Sequence, residues 1–316
     1  MAPTTPHVPV LAAAVQRLAA VRPGDVWVDC TLGFGGHTAD LLAAGARVYG
    51  LDRDADARAA ATERLAAFAD RFTVLAGDFR DVASHLAAAG VEAVDGLLAD
   101  LGVSSWQLDQ AERGFSFSHS GPLDMRMDAS APEGALDLLR RLSIGEIAEI
   151  LRTYGEEPFA GPMARAMKAF AEGEGPHTTT RLASALAAAL PNKVARERHH
   201  HPATRAFQAL RIAVNDELGA LDALLLALPA VLRPGGRALI ISFHSLEDRR
   251  VKQAFAGWTK PIEAPRRGLP PPDQGLPPFL AVTKKAVEAD EAEVAVNPRS
   301  RSAKLRAVQK RPEGMA

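Results

Sequence analysis

Cysteine is nearly missing from this chain: its 316 residues include one, Cys30. A single thiol excludes an internal disulfide framework and any zinc site built on cysteine, and it fits a reducing compartment. Charge of one sign is missing as well. The 37 Lys and Arg residues meet 38 Asp and Glu, a formal net charge of −1, so any polyanionic partner has to be met by local basic stripes. Long apolar runs are absent too. Alanine-rich segments are broken by charges well before the ~18 residues that span a bilayer, and no basic segment followed by an apolar one opens the chain. The expectation is a soluble, cytoplasmic protein with no membrane partner. What is present is an apolar fraction of 47%, enough for one large domain or for a domain carrying a second.

Short apolar runs ending in an acidic residue or glycine alternate with alanine-rich helical patterns through the first third, the rhythm of βαβ units. The expected strands are Val26 to Cys30, Val48 to Asp52, Phe72 to Gly77 and Gly96 to Asp100, all parallel and buried. The helical stretches between them are Thr38 to Ala44, Ala55 to Phe68 and Ser84 to Ala89. After Asp100 the rhythm breaks, and the helical patterns near 143–151, 159–171 and 178–190 have no strands among them. It resumes with one long helix from Thr204 to Leu228, a Pro-Gly-Gly turn and a strand at Arg237 to Ser242. A loop rich in proline and glycine from Lys260 to Pro278 then leads to a late strand near Leu280 to Thr283. The organisation expected is an α/β sheet domain in two parts, 1–104 and 204–316, with an inserted, mainly helical subdomain at 105–203.

The first strand runs into DCTLGFGGHT at 29–38, a carboxylate followed by a glycine-rich turn that opens a helix. A dinucleotide fold would show G-x-G-x-x-G, with a helix N-terminus facing a pyrophosphate. Gly33, Gly35 and Gly36 have the wrong spacing for it. The second strand ends at Asp52, 19 residues beyond Gly33, where a carboxylate can accept both hydroxyl hydrogens of an adenosine ribose. With Asp78 and Asp100 after the third and fourth strands, four acidic strand ends suit ribose hydroxyls, an amino group and a sulfonium charge better than two phosphates. The chemistry points to S-adenosyl-L-methionine. A nicotinamide-dependent oxidoreductase shares the sheet and the ribose carboxylate but needs the missing fingerprint. A non-catalytic RNA binder on a decayed fold predicts loss of Asp52 or of the glycine turn, and both are present.

Several strings carry a resemblance: DCTLGFGGHT, LDRD (51–54), GDFRD (77–81), DLGVSS (100–105), RGFSF (113–117), GPLDMRMD (121–128), HPATRAFQALRIAVNDEL (201–218), ISFHSLEDR (241–249) and NPRSRSAKLR (297–306). Together they resemble the bacterial small-subunit ribosomal RNA cytosine-N4 methyltransferase family, also called MraW, from His7 to Arg306. The resemblance implies a class I, Rossmann-like methyltransferase sheet with an inserted helical domain, and a cytidine of the decoding region as substrate. Small-subunit ribosomal RNA is the implied partner, as free RNA or as the assembled subunit. Implied cofactor contacts are Gly35, Gly36, His37, Asp52, Phe79, Asp100 and Gln107. Trp106 departs from the family, which more often has a small residue or proline there, and Pro158 after YGEE is a second departure.

A cytosine exocyclic amine is a poor nucleophile, because its lone pair is delocalised into the ring. Methylation of ring carbon 5 would instead require a cysteine adduct, and Cys30 reads as a small buried residue. Attack by nitrogen needs the amine in line with the methyl group and an acceptor for its proton, and Asp100 sits at a strand end suited to that role. Gln208, Arg211 and Asn215 form a polar stripe on the helix from Thr204, able to read a base edge or a phosphate. An ordinary solvated face has the same pattern, and it is the resemblance that implies substrate contacts at Arg205, Gln208, Arg211, Asn215 and His244, with Asp100 and Asn215 as the expected catalytic pair. His199, His200 and His201 lack convergent ligands for a metal and, with Arg196, Arg198 and Arg205, read as a basic loop. A closing basic run, Arg299, Arg301, Lys304, Arg306, Lys310 and Arg311, reads as a phosphate track.

Overall fold

The computed structural model describes residues 9–191, 193, 200–260 and 276–314. The expected apolar runs form β1 (Val26–Asp29), β2 (Arg47–Asp52), β3 (Phe72–Ala76) and β4 (Val94–Asp100), which pair in parallel with one another and, through β4, with β5 (Leu232–Ser242). Two further strands, β6 (Phe279–Ala281) and β7 (Lys304–Lys310), are antiparallel, and the sheet order is β3-β2-β1-β4-β5-β7-β6. Strand order reverses between β1 and β4, the switch point at which an open parallel sheet leaves a crevice beyond its carboxyl ends.

The chain divides into two compact units, residues 1–102 with 218–316 and residues 103–217. In the first, successive strand residues supply two apolar layers, because side chains alternate across a strand. Val28, Ala99, Ala238 and Ile240 pack with Val82, Leu86, Leu221, Leu224 and Phe255 in one layer. Trp27, Leu98, Leu239 and Ile241 pack with Val15, Leu41, Leu42 and Ala61 in the other. Burial on both faces is why these strands read as continuous apolar runs. Gly96 lies under the Trp27 indole, where a Cβ would sit 2.1 Å from the ring.

The second unit is helical, with Ile147, Leu151, Met163, Met167, Leu182 and Leu186 in its core. Its boundary corrects the expected one. Helix Thr204–Asn215 contributes Ala206, Phe207, Ala209 and Leu210 to this core, so the unit ends at Glu217 rather than at 203. Helix Ile144–Gly155 approaches it so closely that a Cβ on Gly155 would lie 2.9 Å from the Arg205 carbonyl oxygen. The single long helix expected from Thr204 to Leu228 is two, Thr204–Asn215 and Glu217–Val231, separated by Asp216 in the left-handed region at φ 45°.

The closing basic run is also corrected. Lys304–Lys310 is a sheet strand whose Leu305 and Ala307 are buried, so its alternation of basic and apolar residues is strand periodicity. Arg306 forms a two-pronged ion pair with Asp248 at 2.7 and 3.0 Å. The Lys310 ammonium donates to the Pro229 and Leu232 carbonyls, and Arg311 donates to that of Pro277. Residues 261–275 of the expected loop, and Arg196, Arg198 and His199 of the expected basic loop, lie outside the described residues. Among the described residues no helix is long and apolar enough to cross a membrane.

Candidate active site at the carboxyl edge of the sheet

Parallel pairing puts the ends of β1, β2, β3, β4 and β5 on one edge, and seven of the expected site residues lie on it or in the turns that leave it. The chain leaves β1 through Asp29, and this carboxylate organises the glycine turn. Its two oxygens accept from the Thr31 backbone N–H at 3.1 Å and the Thr38 hydroxyl at 2.7 Å, tying the turn to the first turn of helix Gly36–Ala43. Gly35 caps that helix with φ 71°, and a Cβ there would meet Leu65 Cδ1 at 2.8 Å, so both conformation and space require glycine. His37 follows, nearly buried, with Nε2 3.8 Å from Asp100 Oδ2.

Asp52 closes β2. Its Oδ2 accepts from the Gly33 N–H at 2.8 Å and its Oδ1 from the Asp54 N–H at 2.9 Å, so the carboxylate is fixed between the glycine turn and helix Ala55–Arg64. Burial raises its pKa, against the pull of those two backbone donors. Each oxygen keeps acceptor capacity for a further hydrogen. Asp78, beyond β3, is committed otherwise. It accepts from the Arg80 N–H and pairs with Arg53 at 3.0 Å, which fixes the short turn that begins at Phe79.

Asp100 closes β4, with its backbone N–H donating to the Thr31 hydroxyl at 2.6 Å. Its Oδ1 is buried and has no hydrogen-bond partner among the described residues. Burial, and then the neighbouring carboxyls Asp29 and Glu247, push its pKa well above the ordinary carboxylate range. Asp29 is pushed from 3.8 to about 6, chiefly by burial. Beyond β5, His244 caps helix Ser245–Thr259, accepting from the Glu247 N–H through Nδ1 while its Nε2 lies 3.3 Å from Glu247 Oε1. Glu247 itself is buried and accepts from the Phe243 N–H at 2.8 Å.

The edge thus collects carboxyls from β1, β4 and the helix after β5, of which Asp29 and Glu247 are buried. Asp29 was read from sequence only as one of four acidic strand ends, and Glu247 was not singled out at all. The spacing of His244 and Glu247, three apart ahead of a helix, is a capping-box signal that could have flagged the latter. Cys30, between Asp29 and the turn, is buried, and burial raises its thiol pKa well above the usual value.

The remaining expected residues lie in the helical unit. Gln107 closes a capping box with Ser104 on helix Ser105–Asp109. The divergent Trp106 carries the Arg113 guanidinium over its ring at 5.4 Å. On helix Thr204–Asn215 the polar stripe is committed within its own unit. Gln208 donates to the Tyr154 carbonyl at 3.0 Å, and Arg211 makes a two-pronged pair with Glu217 at 2.8 Å. The Asn215 amide, 8% exposed, donates to the Met125 and Arg211 carbonyls and accepts from the Met127 N–H. It holds a turn in which Met125 takes φ 62°. These contacts engage the Asn215 side chain with the turn at 125–127. Arg205 donates to the Glu156 carbonyl and is otherwise exposed.

A doubly wound sheet with this strand order, with carboxylates in place of a pyrophosphate-gripping turn, defines the class I methyltransferase fold. Comparison with known families agrees: the model of the MraW methylase family matches residues 4–311. The chain belongs to that family. It is 58% identical over 305 residues to a protein of Anaeromyxobacter sp. (strain K) named ribosomal RNA small subunit methyltransferase H, covering 96% of this chain and 97% of that one. Proteins of the same name from Myxococcus xanthus and Symbiobacterium thermophilum are 53% and 48% identical, covering 92% and 98% of this chain and 93% and 98% of theirs.

Proposed function

We propose that this protein methylates the exocyclic N4 amine of a cytidine in the decoding region of small-subunit ribosomal RNA, with S-adenosylmethionine as methyl donor. The observation that carries the cofactor reading is the carboxyl edge itself. Asp52 presents fixed oxygens suited to ribose hydroxyls, and the buried Asp100 Oδ1, unpartnered among the described residues, suits a ligand bearing positive charge. When bound, the donor supplies an electrophilic methyl on a cationic sulfur. Gly35, Gly36 and His37 at the turn, Phe79 after β3 and Gln107 in the helical unit complete the proposed contacts.

The chain's own task is to hold the amine in line and accept its proton. Asp100 is the proposed acceptor, at the strand end nearest the switch point. Asn215 acts as a positioning residue through the turn at 125–127. Substrate recognition is assigned to the helical unit, which the chain enters directly after β4. Arg205 is its proposed phosphate contact, with Gln208 and Arg211 supporting the helix that carries it. An extruded base costs a few kcal/mol of lost stacking, which such contacts offset. His244 is retained as a proposed substrate contact from the sheet side, oriented by Glu247. Action on ribosomal RNA implies a cytoplasmic location.

The test is transfer of labelled methyl from S-adenosylmethionine to unmodified small-subunit RNA, free and assembled, followed by nucleoside mass spectrometry. N4-methylcytidine is the expected product. Label on ring carbon 5, or no transfer to either substrate, would refute the reading.

A further inference from the structure

The carboxyl edge holds more acid than cofactor recognition requires, and its arrangement gives Asp100 two states. We infer that Asp100 is a base armed by the charge of its own cofactor: it gives its proton to solvent when the sulfonium ligand binds and takes the amine proton when that charge disappears. The inference rests on the proposed methyl transfer and adds to it when and where the proton moves.

The geometry gives the reasons. Asp100 Oδ1 is buried with no hydrogen-bond partner among the described residues, so nothing in the protein solvates an ionised carboxylate at that atom. Among the described residues of its unit, three titratable groups act on Asp100: Asp29 from β1, Glu247 from the helix after β5 and His37 from the first turn of helix Gly36–Ala43, 3.8 Å from Oδ2. Two of the three are carboxyls. Like charges held close together keep one of their number protonated, as the upward shift of Asp100 reflects. A sulfonium brought to this edge reverses the balance, because an opposite charge favours the ionised carboxylate.

The proton balance closes over a cycle. Ligand binding ionises Asp100 and one proton leaves to solvent. In the transfer step the sulfur–methyl bond breaks, with its electron pair staying on sulfur, and the nitrogen lone pair forms the new nitrogen–methyl bond. The nitrogen then carries a surplus proton. Sulfur is now neutral, the reason for Asp100 to stay ionised is gone, and its carboxylate takes that proton. The resting state is restored with protonated Asp100 beside a neutral thioether. One proton is released per turnover, and it is released at cofactor binding.

The test needs no RNA. Calorimetric titration of the full chain at pH 7 with S-adenosylmethionine and, separately, with S-adenosylhomocysteine, in buffers of different ionisation enthalpy, counts protons released on binding. Asp29, at about 6, is already ionised at that pH and adds little to the count. The cationic ligand is expected to release about one proton more than the neutral one. Asp100→Asn is expected to abolish the difference in proton release between the two ligands, whatever the change in its affinity for them. Equal release for the two ligands in the unmodified protein would overturn the inference whether or not the variant folds. Failure of S-adenosylmethionine to bind at all would instead overturn the functional reading on which it rests.

Discussion

Asp29 offers a test of the electrostatics that needs neither cofactor nor RNA. Its carboxyl is 2% exposed and shifted from 3.8 to about 6, with burial as the main cause and the Thr38 and Thr31 hydrogen bonds only partly offsetting it. Between those two pH values the folded state binds more protons than the unfolded one, so the group's contribution to stability is fully present below 3.8 and is lost as pH rises through about 6. The full penalty above that range is about 3 kcal/mol, of which about 1 is already felt at pH 4.5, leaving about 2 between pH 4.5 and 7.5. Asn resembles the protonated acid, keeping an acceptor for the Thr31 N–H and offering a donor to the Thr38 hydroxyl. Urea unfolding of the protein and of Asp29→Asn at both pH values should therefore show the variant gaining about 2 kcal/mol relative to the parent as pH rises. Neutralising Asp29 also relieves Asp100, which moves the result in the same direction. A difference independent of pH, or one that grows toward acid, would refute the account of Asp29 as a buried carboxyl among like charges.

Gly35→Ala forces a side chain into left-handed backbone against Leu65 and is expected to cost about 1–3 kcal/mol, seen as a lower Tm together with weaker S-adenosylhomocysteine binding. Asn215→Ala leaves the buried Met127 N–H and Met125 carbonyl without their partner, and urea unfolding should show a loss of about 2–4 kcal/mol. A stable Asn215→Ala protein defective only in turnover would restore this residue to the chemistry. Arg306→Ala should lower Tm and leave the salt dependence of RNA binding unchanged, because its guanidinium is held by Asp248. Cys30→Ala should retain methyl transfer, and the native thiol should react with thiol reagents only on unfolding.

The sheet was legible because its signals are local. β1 to β4 are apolar runs buried on both faces, each ending in or just before an acidic residue, and the glycine turn follows β1 without interruption. What sequence misread depends on partners far along the chain. The break at Asp216, where φ is 45°, was passed over although Asn and Asp tolerate left-handed backbone better than other side chains, because apolar residues continue past it without a glycine or proline stop. The end of the helical unit was misplaced for the same reason: Phe207 and Leu210 read as a buried face, but only packing on Ile147 and Leu151 says whose core they enter. The strand Lys304–Lys310 was hidden by its charges, whose partners lie on Asp248 and on the Pro229 and Leu232 carbonyls. The polar stripe follows the same logic. Periodicity reports that Gln208, Arg211 and Asn215 share a face able to hydrogen-bond, and a face that bonds its own unit has the same spacing as one that bonds RNA. Arg205 differs from the other three because its guanidinium stays exposed after donating to Glu156. Among the proposed RNA contacts on this helix, Arg205 in the first turn is therefore the one whose charge the unit leaves exposed.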